Sequence, residues 1–348
     1  MKKITLLLCL AFLVSACHKE KPEPISTTTD GPGIYVLNQG LWNANNSTIS
    51  FYNFETREVN ADIFSAVNHR GLGDTGNDLQ KYGSKMYCVV NTSEIIEVMN
   101  LKDASSVKSI SLSGKSPRHI CFDGGKAYVS CFDGSVVRID TASLAVEASV
   151  TVGPNPEGLC VAKGKLYVAN SGGYNAPNYG TSVSVIDLAS FTVTKEIEVV
   201  CNPYKLLKDR NQNLMLISKG NYANIGSCLQ KISTTTDEVV KTYDFEISEM
   251  AIYEHVLLFF NYNYATMLAS YKKFDLNTET IISNQFISDD TKLETPYLID
   301  VDPDNGDVYI SDSYDYTVNG DLYCFDKNGN FKFKFEVGMN PANIVFYK

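Results

Sequence analysis

The sequence predicts an all-β chain: a seven-bladed β-propeller closed by pairing its N-terminal strands with its C-terminal strand. Three observations predict it. A tyrosine-centred strand pattern recurs seven times, 39 to 52 residues apart. Each copy travels with three further short alternating segments, making four strands per ~45 residues, the period of a propeller blade. The two ends are complementary, the first repeat lacking a strand that the last residues supply.

From the N-terminus, Met1-Lys2-Lys3 is a positive leader and Ile4 to Val14 a predominantly apolar stretch of eleven residues. That is too short to cross a hydrocarbon core of about 30 Å as a helix, and has the length and flanks of a signal-peptide h-region. Val14-Ser15-Ala16-Cys17 follows and resembles the bacterial lipobox, which implies cleavage before Cys17 and a diacylglyceryl group on its sulfur. His18 to Pro32 is charged, then rich in Pro, Ser, Thr and Gly, the composition of a flexible tether. The expected organisation is therefore a signal peptide (1–16), a lipid-anchored tether (17–32) and one propeller (33–348).

Thirty basic side chains face 40 acidic ones, a net charge of −10, and loss of Lys2 and Lys3 with the leader makes the chain more acidic still. Without a basic stripe to neutralise phosphates, nucleic acid is excluded as a partner. Of nine cysteines, Cys9 leaves with the leader and Cys17 takes the lipid. The remaining seven are odd in number, show no CxxC, and several lie in apolar runs such as Tyr87-Cys88-Val89 and Leu159-Cys160-Val161. They read as small buried hydrophobes rather than disulfides or metal ligands.

The tyrosine strand is clearest at Lys165-Leu166-Tyr167-Val168-Ala169-Asn170, Lys126-Ala127-Tyr128-Val129-Ser130 and Lys85-Met86-Tyr87-Cys88-Val89. Asp307 to Ser311 and Gly33 to Asn38 match it, and Asn213 to Ser218 and His255 to Phe259 match more weakly. A second segment follows each, as in Val136 to Asp140, Val183 to Asp187, Tyr271 to Asp275 and Leu322 to Asp326, and then a third, as in Ala148 to Gly153. Ahead of the tyrosine strand stands a Pro-led one, as in Ser116-Pro117, Asn155-Pro156, Asn202-Pro203, Thr295-Pro296 and Asn340-Pro341. Period-2 alternation between polar turns marks all of these as strands. The first repeat lacks a Pro-led strand and Asn340 to Tyr347 lacks partners, so joining the two closes the ring and removes open sheet edges.

Strand alternation puts the inter-blade connections and the second-to-third-strand loops on one face. Five of those loops, at 38–46, 170–180, 218–226, 261–267 and 311–319, are long and rich in Tyr, Asn and the single Trp. Such composition is that of a paratope: rigid amphipathic rings beside adaptable amides. The candidate ligand-binding residues on them are Trp42, Asn45, Tyr174, Tyr179, Tyr222, Tyr262, Tyr264, Tyr314 and Tyr316; the strand starts and loops beside them add Arg118, His119, Phe132, Tyr204 and Tyr297.

The Pro-led strand with the Lys-Leu-Tyr-Val-Ala-Asn and Val-Ser-Val-Ile-Asp repeats resembles the YncE-like, surface-layer-type propellers. Gly73 to Tyr87 is similar, more specifically, to lipoprotein propellers of gut Bacteroidales, whose best understood branch is the BtuG type. That resemblance covers nearly the whole chain. It implies an outer-membrane lipoprotein, anchored at Cys17 and facing the exterior, that captures cobalamin and sits on a TonB-dependent transporter. Cobalamin is then cargo rather than a catalytic cofactor, and no enzyme activity is implied. Surface-exported members of that group usually carry an acidic run after the lipidated cysteine, where this chain has the mixed His18-Lys19-Glu20-Lys21. The corrinoid expectation makes Arg118 and Lys205 candidate phosphate contacts and the rim a source of stacking area and amide partners. His119, in an Arg-His-Ile-Cys strand, reads as an ordinary hydrogen-bonded histidine rather than a cobalt ligand. Two competing classes are a surface protein for glycans or protein partners and a lactonase-like hydrolase, for which Asn77, Asp78, Glu157 and Asn343 could offer oxygen ligands to a metal.

Overall fold

The computed structural model describes Thr29 and residues 31–348; the expected leader, the lipidated Cys17 and most of the tether lie outside the described residues. Seven four-stranded antiparallel sheets form the seven blades of a propeller. Blade one combines Gly33–Asn38, Thr48–Asn53 and Val59–Asn60 with an innermost strand from the other end of the chain, Pro341–Tyr347. The closing register runs from Gly33 opposite Tyr347 to Asn38 opposite Pro341. Blades two to seven are each contiguous, with inner strands Gly76–Tyr82, Pro117–Asp123, Pro156–Ala162, Pro203–Lys208, Glu249–Tyr253 and Pro296–Val301. Their second strands are Lys85–Val90, Lys126–Cys131, Lys165–Asn170, Leu214–Ser218, Val256–Asn263 and Val308–Asp312.

The core is not a single mass but seven wedges of buried side chains, one between each pair of neighbouring blades. This is why the tyrosine recurs. Tyr35, Tyr87, Tyr167 and Tyr309 are fully buried, each delivering a large apolar ring with one polar tip that must find a partner. Tyr35 donates to the carbonyl of Leu101 in blade two at 2.8 Å, and Tyr167 to the carboxylate of Asp237 in blade five at 2.5 Å. Cys88, Cys131 and Cys324 are buried within the same wedges, and all seven cysteines of the propeller are free thiols.

Two local features depart from the expectation. Blade one has only a two-residue outer strand, and a short helix, Ile63–Asn68, follows it. Asp62 caps the helix by accepting from Ser65 N, and Ile63 and Phe64 fill the wedge between blades one and two. The expected 261–267 loop begins as strand, through Asn263. Asn261 and Tyr262 continue the second strand of blade six, opposite Ser270 and Ala269, because Tyr262 is buried against blade seven. What remains is a tight turn.

Candidate ligand-binding face and channel mouth

The mouth of the axial channel is built by one device repeated around the ring. The residue before the inner strand takes a left-handed backbone: Thr75 (φ 61°), Ser116 (49°), Asn155 (44°), Asn202 (60°) and Asn340 (54°). Among residues with a side chain, Asn adopts this conformation most readily, which accounts for the three Asn-Pro pairs. The carbonyl of the turned residue accepts the N–H of the residue that follows the second strand of its own blade. Gln39, Asn91, Phe132, Ser171 and Lys219 donate in this way to Asn340, Thr75, Ser116, Asn155 and Asn202 at 2.8–3.2 Å. Side-chain amides extend the stitch to the preceding blade, Asn155 donating to Phe132 O and Asn340 to Tyr316 O.

A bulge follows. Register shifts fall between Gly76 and Asp78, Pro117 and Ile120, Pro156 and Leu159, Pro203 and Lys205, and Pro296 and Ile299. An extra residue there re-aims side chains, here toward the channel. Gly158 fills one such place because a Cβ would lie 2.5 Å from Tyr204 O on the next inner strand. The resulting cavity, about 600 Å³, is lined by the inner strands of all seven blades.

Charges at its mouth are interlocked. Arg118 donates to both oxygens of Glu157 through Nε and Nη2, each at 3.1 Å, and to Asn77 Oδ1 at 2.5 Å. Its guanidinium lies over the Phe132 ring, 4.4 Å from the centroid. Burial opposes ionisation of Glu157, but Arg118 and His119 outweigh it and hold the carboxyl down at about 2. His119 lies between Asp78 (Nδ1 to Oδ2, 3.6 Å) and Glu157 (Nε2 to Oε2, 3.4 Å). Burial works against its charge, yet the two carboxylates win and raise its pKa. Lys205 donates to Glu249 at 2.6 Å. Arg118 and Lys205, expected as phosphate contacts, are thus each committed to a glutamate. His119, expected as an ordinary hydrogen-bonded histidine, is held by ion-pair contacts to the two carboxylates, and its Nε2 makes no hydrogen bond among the described residues.

Three of the four side chains that could have offered oxygens to a metal, Asn77, Asp78 and Glu157, already accept from protein donors. Asp78 accepts from Ile120 N, Gln80 and Asn343, and Glu157 and Asn77 face the guanidinium. Among the described residues no group of three His, Cys, Asp or Glu side chains is placed to hold an ion.

Above the mouth stand aromatic side chains. Trp42 is 76 % exposed, Tyr174 76 %, Tyr222 70 % and Tyr264 69 %. Edge-to-face pairs link several: Phe132 with Tyr174 at 5.0 Å, Tyr179 with Tyr222 at 5.9 Å and Tyr297 with Tyr316 at 6.1 Å. Tyr297 donates to Gln39 Oε1 at 2.6 Å, and burial raises its phenol to about 12. Arg118, His119, Tyr204, Tyr264 and Tyr297 line the cavity. Tyr262 borders it too, but is buried beneath Tyr264. Trp42 and Asn45 stand outside the lining on a loop fixed by Asp74, whose carboxylate accepts from Asn43 N and Asn45 N. Tyr314 is turned aside, its hydroxyl bound to Asp321 at 2.5 Å. Sequence reasoning missed Lys219, Gln39 and Glu249, all lining the cavity. Lys219 could have been found, because it follows the fifth tyrosine-type strand as Phe132 follows the third.

Fold and site together define a seven-bladed β-propeller with an aromatic-rimmed, charge-lined axial pocket. The chain belongs to the family described as Domain of unknown function (DUF5074), which matches residues 32–346. No curated protein matches it. Among solved structures it is similar to a quinoprotein alcohol dehydrogenase-like protein from Bacteroides thetaiotaomicron (TM-score 0.69, 15 % identity, 90 % of this chain and 78 % of that one). It is also similar to the hydrazine synthase of Kuenenia stuttgartiensis (0.61, 13 %, 75 % and 86 %) and to the computationally designed Ika8 protein (0.60, 10 %, 90 % and 91 %). At these identities the likeness concerns the fold alone.

Proposed function

We propose that this chain is an exported lipoprotein that captures a corrinoid on the aromatic face of its propeller and delivers it to a TonB-dependent transporter. The observation that carries the reading is the set of exposed rings on separate loops, Trp42, Tyr174, Tyr222 and Tyr264, on the face that holds the channel mouth. Rigid aromatic area suits a broad, flat ligand, and the Asn side chains of the same loops suit its fringe of amides. A binding role is favoured over hydrolysis because the mouth carboxylates are neutralised by Arg118, His119 and Lys205 rather than left free for acid–base or metal chemistry. Exposed Ile225, Met267, Leu268 and Val318 on the loops of blades five to seven favour a protein surface beside the ligand, in keeping with a transporter partner.

Calorimetric titration of the purified chain with cyanocobalamin and with cobinamide tests this. Saturable one-to-one binding is expected, weakened roughly tenfold or more by Tyr174→Ala or Tyr222→Ala, since a ring stacked on a ligand contributes more than 1 kcal/mol. Absence of binding to both corrinoids excludes the reading and leaves the fold untouched.

A further inference from the structure

Arg118, Lys205 and Lys219 line the aromatic end of the cavity beside His119, with Lys81 and Lys208 at the far ends of their inner strands. Of the first three cations, Lys219 has no ion pair among the described residues. Arg118 is saturated by Glu157 and Asn77, and Lys205 is paired with Glu249. The Lys219 ammonium instead lies over the face of Tyr204, 3.4 Å from the ring centroid. Among the described residues it has no ion pair and no side-chain hydrogen bond. A cation left without an acceptor in a recessed site is costly unless something completes it. Burial depresses its pKa, with Arg118 and Lys205 acting in the same direction and Glu249 and Glu157 opposing.

The fold does not require a lysine at this position. Gln39, Asn91, Phe132, Ser171 and Ser313 occupy the equivalent places in other blades, each donating its backbone N–H to the residue before the inner strand. Lys219 makes the same backbone bond, to Asn202 O at 2.8 Å, so its side chain is the only part special to blade five. That side chain lines the cavity, and its loop carries the exposed ring of Tyr222.

We propose that Lys219 and Tyr204 form an oxyanion subsite at the channel mouth, taking a phosphate or carboxylate group of the bound ligand. The proposal deepens the capture reading, since the ligand under the aromatic rim would present that group. It does not depend on the ligand being a corrinoid. An anion on Lys219 gains a charge-assisted hydrogen bond and faces the cation on the side away from the ring.

The probes are inorganic phosphate and acetate, titrated into the full chain and followed by the ligand's own ³¹P and ¹H signals, with cyanocobalamin titrated in parallel. Saturable millimolar binding of phosphate, acetate or both is expected, and the probe that saturates names the group. It should weaken roughly tenfold in Lys219→Gln, recover in Lys219→Arg, and be unchanged in Val240→Ala, an exposed position on the outer strand of blade five. A matching thermal midpoint for Lys219→Gln separates loss of the subsite from loss of fold. No saturable binding of either anion, or equal binding by the native chain and Lys219→Gln, overturns the subsite. Cyanocobalamin binding insensitive to Lys219→Gln also overturns it while leaving corrinoid capture standing. Anion binding through Lys219 with no corrinoid binding leaves the subsite standing and removes the corrinoid.

Discussion

At the scale of single residues, the channel is a place where charge is set by neighbours. Burial lifts the Asp300 carboxyl to about 6, so folding takes up a proton there. The stabilisation from this group is complete below the ordinary carboxylate range and is lost as pH rises through about 6. The His119 imidazole, raised by Asp78 and Glu157 against its burial, acts in the same direction: its contribution is present below about 6.5 and lost as pH climbs through the raised value. Glu157, held down at about 2, contributes above the ordinary glutamate range and loses its contribution as pH falls through about 2. Asp300→Asn keeps an acceptor for Val301 N, which donates to Asp300 Oδ1 at 2.7 Å. It should therefore stabilise the chain by up to about 3 kcal/mol at pH 8 and be neutral near pH 3. Urea denaturation of the two proteins at both pH values checks this, and equal gains at both would contradict it.

Among elements, the Asn-Pro strand start joins one blade to the next. Asn155 combines a φ of 44° with donation to Phe132 O and acceptance from Tyr174 N. Asn155→Ala should cost roughly 2–3 kcal/mol, from left-handed strain and two lost hydrogen bonds. Asn155→Gly should cost less, because the strain goes with the Cβ; denaturant midpoints rank the two. The Asn-Pro pairs were visible in the sequence as punctuation, but their left-handed turn was not. The tyrosine strands were more legible, with Lys165–Asn170 falling where the pattern put it, because alternation and burial impose the same period. The helix Ile63–Asn68 escaped notice because six residues hold less than two turns of periodicity. Tyr262 was placed on a loop because Tyr and Asn serve both turns and strands. Pairing across the hairpin, invisible locally, decided for the strand.

For the whole molecule, the ring was legible because repeats and complementary ends are properties of the chain itself. The channel mouth was less so, since it assembles side chains from every blade. That Arg118 meets Glu157 at a distance of 39 residues in sequence, and that Lys219 pairs with no carboxylate among the described residues, follow only from the packing of neighbouring inner strands. The closing strand supplies Ile344 and Phe346 to the wedge with blade seven and Val345 to the wedge with blade two. A chain ending at Asn340 should lose its cooperative thermal transition and associate through the freed edge of Gly33–Asn38; near-ultraviolet circular dichroism and gel filtration would show it. The central claim, that the aromatic face captures a corrinoid, is tested most directly by gel filtration of the chain mixed with cyanocobalamin, reading the colour that travels with the protein. One equivalent of corrinoid should comigrate with the native chain, and little with a folded variant carrying Ala at Trp42, Tyr174, Tyr222 and Tyr264. Colour that separates from the native chain, or that travels equally with the variant, would contradict it.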